Sequence, residues 1–230
     1  MANVDSYAQL TMRNGAVIPL ANTALTEATE DEIQTDANFV GSAQPAGTFA
    51  TQSLGSSIVL AGGVSAENDV SYAYVRSAGK IKLALPVSGL SSGMGLPGAL
   101  PYPKQLVSGD SVIVMANAVA DREVSLSVAT TSGEYHCFSV TPAGLGEHEL
   151  VSVLTGQSIG ETLQGRTVSH AFSMGGNNAA NFSSPIYFLN GSGTPIGTVT
   201  PNDPAVDTGL FQRCLAAIAL NTRVVFRTDA

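Results

Sequence analysis

The chain has 230 residues, of which 44% are hydrophobic but only 12% charged, about half the usual ~25%. Ten Lys and Arg stand against eighteen Asp and Glu, a net charge of −8, and the cations are scattered singly apart from Lys80 and Lys82. Direct nucleic-acid binding therefore has no clustered basic footprint, attraction to an anionic membrane surface is not expected, and no run approaches the ~18 apolar residues of a membrane-spanning helix.

In chain order, residues 1–50 read as an irregular arm or extension. "LTMRNGAVIPL" fits a hairpin around Asn14–Gly15, since Asn-Gly accepts the positive φ of a tight turn. The stretch after it carries Glu27, Glu30, Asp31, Glu32 and Asp36 with no sustained period. A short helix over Glu27–Ile33 competes there with a solvated surface segment, and the acid density favours the second.

From residue 51 onward one domain is expected, and its pattern is strand after strand. "KIKLALPV" alternates, with Ile81, Leu83, Leu85 and Val87 opposed to Lys80, Lys82 and Ala84. In "EVSLSVATT" Val124, Leu126 and Val128 oppose Ser125 and Ser127; in "RTVSHAFSM" Val168, Phe172 and Met174 oppose Thr167, Ser169 and Ser173. Period-2 alternation sets one face on a core and the other on polar surroundings. Gly-Asp, Ser-Gly and Asn-Gly pairs punctuate about ten such segments, the rhythm of a sandwich or barrel. Near the end, "DTGLFQRCLAAIALN" places Leu210, Cys214, Ala217 and Ile218 at helical spacing, with Asp207 or Thr208 to cap a short helix. "TRVVFRT" then returns to strand character.

Between two of these segments, Gly89-Leu90-Ser91-Ser92-Gly93 spells G-x-S-x-G, the nucleophile elbow of serine hydrolases. An elbow needs the serine between a strand and a helix that begins at once. Here prolines at 97, 101 and 103 follow, which remove donors and forbid that helix. Ser91 is read as part of a long loop, and no catalytic residue is expected. His136 adjoins Cys137, so on a strand their side chains diverge. His170 lies between Val168 and Phe172, which suits a core histidine, and His148, between Glu147 and Glu149, is expected at the surface. Asn202, Asp203 and Asp207 offer oxygen ligands for a hard cation but lack EF-hand spacing; turn formation and capping explain them as well. Cys137 and Cys214 are open to a disulfide or to two buried free thiols, the latter favoured in a chain with no basic n-region or apolar h-region at its start. No metal and no cofactor are expected.

Together these features predict an all-β fold: an antiparallel, jelly-roll-like β-sandwich of about ten strands, with an irregular N-terminal arm (1–50), a single domain (51–230) and one short C-terminal helix. In strand rhythm and small-polar composition the chain resembles a jelly-roll coat protein. The expected role is not enzymatic. It is that of a self-assembling structural protein, a viral or phage capsid subunit made in the host cytoplasm and residing in the virion. Its partners would be copies of itself and other particle proteins, with no direct nucleic acid and no membrane insertion. Such an arm would contact neighbours, so its removal would abolish assembly while sparing the fold. The alternatives are a phage fibre, decoration or surface adhesion module binding glycan or protein, and, third, a serine hydrolase using Ser91.

Overall fold

The computed structural model describes residues 4–12, 15–25, 30–35, 37, 41–50, 56–63, 70–78, 80–88, 100–102, 104–119, 124–175, 185–200 and 211–228. The fold is all-β, 52% strand with few helical residues, and its three sheets are antiparallel. In the first half, β1 (Val4–Met12), β2 (Val17–Leu25), β3 (Glu30–Thr35), β4 (Ser56–Gly63), β5 (Val70–Ser77), β6 (Lys80–Ser88), β7 (Lys104–Gln105) and β8 (Ser111–Val119) form one sheet in the order β6-β5-β8-β3-β2-β1-β4-β7. A single helical turn, α1 (Gly47–Ala50), lies between β3 and β4. The second half contains β9 (Val124–Thr130), β10 (Tyr135–Val140), β11 (Gly146–Glu149), β12 (Val151–Ser152), helix α2 (Ile159–Leu163), β13 (Thr167–Gly175), β14 (Ile186–Leu189), β15 (Pro195–Val199), β16 (Gln212–Ala217) and β17 (Arg223–Thr228). These strands divide into a five-stranded sheet, β12-β10-β9-β13-β16, and a four-stranded sheet, β11-β17-β14-β15.

Residues 1–50 are not an irregular arm: their described part supplies three strands from the middle of the largest sheet. The expected hairpin forms, with Thr11 opposite Val17 and Gly15 at φ +83° in the connection. The acidic segment expected at the surface is instead β3, which joins two sets of strands. Glu30–Ile33 pair with Val112–Met115 of β8, while Gln34 and Thr35 pair with Ala21 and Leu20 of β2. The acids hid this strand because Ile33 is its one large apolar residue, and Ile33 is fully buried. Leu10, Leu20 and Ile33 share a core with Phe49, Val75, Leu100, Leu106 and Val112.

The second half has its own core, filled from both of its sheets. Val124, Leu126, Val128 and Phe138 of the five-stranded sheet meet Ile186, Phe188, Val224 and Phe226 of the four-stranded one, with Ile159 and Leu163 of α2. The alternation along β9 is as expected, but its polar face does not meet water: all seven residues of the strand are buried. Ser125, Ser127 and Ala129 turn toward the first half, where β6 crosses β9, β10 and β13, and Ala129 and Tyr135 enter the first core. Small side chains let the two layers approach closely, so the serines serve packing and not solvation.

Two further expectations change. The segment read as a C-terminal helix is, over Gln212–Ala217, the strand β16, paired antiparallel with β13 and alternating between exposed and buried residues. Cys214, Ala216 and Ile218 all enter the second core, a spacing of two that outweighs the helical match of Cys214 with Ala217 and Ile218. Short apolar runs fit both periods, and pairing with a distant strand decides between them. Along β13, a register shift between Val168 and His170 breaks the simple alternation. Val168 and Ala171 face the second core, whereas Phe172 lies opposite Ser127 on the other face, because one extra residue flips the side chains that follow it.

Candidate functional site

Two clusters of polar side chains stand out among the described residues. The first lies at the junction of the two halves. The Tyr135 hydroxyl accepts a hydrogen bond from Tyr102 N–H at 2.8 Å and donates to the Tyr102 carbonyl at 2.5 Å, holding both backbone polar groups of that residue. The Tyr102 hydroxyl donates to Ser169 Oγ at 3.1 Å, and Ser169 Oγ donates to the Ala129 carbonyl at 2.9 Å. His170 Nδ1 lies 3.2 Å from the same oxygen, and its ring meets Tyr102 edge-on at 5.7 Å. The register shift is what lets the adjacent Ser169 and His170 meet. A Ser-His pair suggests a nucleophile and its base, but here the serine proton points to a backbone carbonyl. His170 Nδ1 stands to Ser169 Oγ as donor or acceptor according to its tautomer. The cluster's bonds tie Tyr102 to β10 through Tyr135 and to β13 through Ser169, and β13 to β9 through Ala129.

Burial pushes the Tyr135 phenol up to about 12. A phenol raised in the folded state contributes stability that is complete below pH ~10 and lost as pH rises through its folded value. Tyr135→Phe should lower stability by about 1–3 kcal/mol at neutral pH, because it removes the partner of both the N–H and the carbonyl of Tyr102. It should also flatten the loss of stability between pH ~10 and ~12. Urea unfolding of both proteins across that range reads both effects.

The second cluster lines an open depression of 540 Å³ beside the four-stranded sheet, where the turn between β16 and β17 meets α2. Glu149 and Arg223 project from β11 and β17, Ser158 and Glu161 from the start of α2, and Leu220 and Asn221 from the turn. Ser158 and Glu161 form a capping box. Ser158 Oγ accepts from Glu161 N–H at 3.2 Å, and Glu161 Oε2 accepts from Ser158 N–H at 2.9 Å. The Ser158 hydroxyl also donates to Glu161 Oε2 at 3.0 Å, and the two bonds that the carboxylate accepts, first the backbone one and then that of the hydroxyl, pull the Glu161 carboxyl below its ordinary value. Glu149 is shifted the other way. Partial burial raises it, Arg223 opposes the rise, and Glu161 and Glu147 add to it. Beside the depression Glu147 holds both Arg223 and Arg227, at 3.0 and 3.2 Å, and the Arg227 guanidinium lies 5.2 Å from the centre of the Tyr187 ring.

Ser91 and its loop, and likewise Asn202, Asp203 and Asp207, lie outside the described residues. Cys137 and Cys214 are both buried, and no disulfide joins them. They sit on β10 and β16 with β9 and β13 between them, hence roughly 14 Å apart by strand spacing, beyond disulfide reach. Burial raises the Cys214 thiol to about 11. His148 is half-buried, not exposed, with Nε2 2.9 Å from the Gly144 carbonyl and 3.2 Å from Thr228 Oγ1. Among the described residues no group of three His, Cys, Asp or Glu is placed to hold a metal ion. Sequence reasoning missed the depression altogether. Its one local signal was the Ser158-x-x-Glu161 spacing of a capping box; the meeting of Glu149, Asn221 and Arg223 is non-local. No family model, no curated protein and no solved structure matches the chain.

Proposed function

We propose that the chain is a self-assembling structural protein, a shell subunit of a virus or phage particle residing in the virion, acting through repeated contacts between copies. The observation that carries this reading is the surface. Leu145, Leu215, Leu220 and Val17 are 71%, 60%, 58% and 54% exposed, in a chain with only 12% charged residues. A chain this poor in charge has little electrostatic protection against self-association. Contacts between copies then fall on the folded sheets and their turns, since residues 4–35 are largely committed to strands. Each contact can be weak, because many identical ones act together.

The finer architecture proposed is a jelly-roll-like sandwich in the second half. In its favour, the five- and four-stranded sheets fill one core. In the five-stranded sheet the later strand β13 also returns to pair with β9. An adhesion or decoration module is the second reading, favoured by the depression between β17 and α2.

Negative-stain electron microscopy with light scattering on the purified protein tests the choice. Shells, tubes or sheets are the expected result. A monodisperse monomer or small oligomer that stays so at high concentration and in high salt would overturn the assembly reading and leave the binding module.

A further inference from the structure

The depression beside α2 has a mixed chemistry that the shell reading leaves unused. Its wall carries both acceptors and donors. Glu149 and Glu161 supply carboxylate oxygens, Asn221 an amide with both functions, Ser158 a hydroxyl, and Arg223 guanidinium N–H groups. Of the five donors Arg carries, the bond to Glu147 engages Nη1. Leu220, 58% exposed, adds an apolar lip. The wall is also firmly placed. α2 is tied to the turn by Gly160 N–H donating to the Thr222 carbonyl at 3.1 Å, and the Thr222 hydroxyl accepts from Ala219 N–H at 2.9 Å. At 540 Å³ the space falls within the range of small-molecule sites.

We infer that this depression binds the uncharged, hydroxyl-rich end of a glycan, with Glu149 and Asn221 taking paired hydroxyls, Arg223 donating to a ring or hydroxyl oxygen, and Leu220 against a C–H face. A sugar presents donors and acceptors on neighbouring carbons, and vicinal hydroxyls suit a carboxylate or an amide that meets both. Sign decides which sugars are admitted. Two carboxylates face one guanidinium, which Glu147 already partly neutralises, so acidic sugars are repelled. Glu149 is half-buried, so its carboxylate gains from hydroxyl donors that a ligand brings to it. The absence of Trp from the chain removes the usual aromatic platform, so binding to a single sugar is weak, and affinity would come from many copies presented together. The site is the same on a particle or on a free chain.

The test is saturation-transfer NMR on the full-length protein in whatever assembly state it adopts. The probes are glucose, galactose, mannose, N-acetylglucosamine, N-acetylneuraminic acid, glucosamine and spermidine. The expected result is millimolar binding of at least one neutral sugar and none of N-acetylneuraminic acid. Asn221→Ala and Glu149→Gln should each weaken it tenfold or more. Gly191→Ala, whose new methyl group would displace the Asn221 amide packed against Gly191, should do the same without removing a polar group. Near-UV circular dichroism checks that each variant is folded. Should one of them not fold, the remaining two carry the comparison. Failure of all the neutral sugars, binding untouched by the substitutions, or binding of glucosamine and spermidine alone would each overturn the inference. The last outcome would reduce the site to plain attraction of cations.

Discussion

Deleting residues 1–40 should abolish cooperative folding of the first half. The deletion removes β1, β2 and β3, which are consecutive in the eight-stranded sheet, and leaves β6-β5-β8 and β4-β7 as separate pieces. β4 loses an antiparallel partner along most of its length and β8 one over Val112–Met115, so their backbone groups must find water or another chain, a template for aggregation. Leu10, Leu20 and Ile33 are each fully buried in the first core. At roughly 1.5–3 kcal/mol per side chain, their loss alone reaches about 5–9 kcal/mol, comparable with the whole ~5–15 kcal/mol stability of a typical domain. The expected product is insoluble, or soluble with reduced far-UV β signal and no sharp transition for the first half. The measurement is urea unfolding followed by circular dichroism and hydrogen exchange. Native-like exchange protection in β4, β5, β6 and β8 of the truncated chain would show the three strands to be dispensable and restore a detachable arm.

This outcome reverses what composition alone suggests, and the reason lies in particular residues. Within Glu30–Thr35 only Ile33 is a large apolar residue, so neither a period of two nor one of 3.6 is visible. The strand exists because β8 and β2 offer backbone partners on its two sides. The pairing with β8 spans roughly eighty residues of sequence and leaves no local trace. β9 is the opposite case. Its Val124-Leu126-Val128 alternation was legible and the strand is there, but the serine face looked solvated and is packed against the first half. Alternation reveals that two faces differ; it does not say what covers the second. Cys214, Ala216 and Ile218 sat within a run that fits a helix nearly as well, and the helix reading failed because β13 lies alongside. The all-β class was therefore readable from the sequence, whereas strand order, the central place of β1–β3 and the identity of β16 were not.

The candidate sites follow the same division. Ser158 and Glu161 are three residues apart and make a recognisable cap, while Glu149, Asn221 and Arg223 reach the depression only through the pairing of β11 with β17 and the turn that precedes it. Tyr102, Tyr135 and Ser169 are likewise remote in sequence, and the Ser169–His170 contact depends on a register shift that alternation rules exclude.

Gly160→Ala should destabilise the protein by about 3 kcal/mol, a large effect for one added methyl group. The carbon would stand 2.7 Å from the Leu220 carbonyl carbon and 2.8 Å from the Thr222 carbonyl oxygen, and closer still to the Leu220 carbonyl oxygen. All three atoms are backbone, so no side chain can swing aside. Relief requires α2 to lift from the β16–β17 turn, which stretches the Gly160 N–H bond to Thr222 and draws Ile159 and Leu163 out of the second core. Overpacking of this kind costs about 1–3 kcal/mol, and a weakened buried hydrogen bond adds about 1 kcal/mol. For a chain of this size the melting temperature should fall by roughly 6–12 °C. Gly144→Ala is the control, since its added carbon meets nothing within 4 Å and its φ is not in the left-handed region; it should stay within about 0.5 kcal/mol of the parent. Equal urea midpoints for the two variants would mean that α2 does not rest on the turn as closely as the structure places it. Because Ser158 and Glu161 move with α2, sugar binding by Gly160→Ala should weaken along with stability, while Gly144→Ala leaves both unchanged.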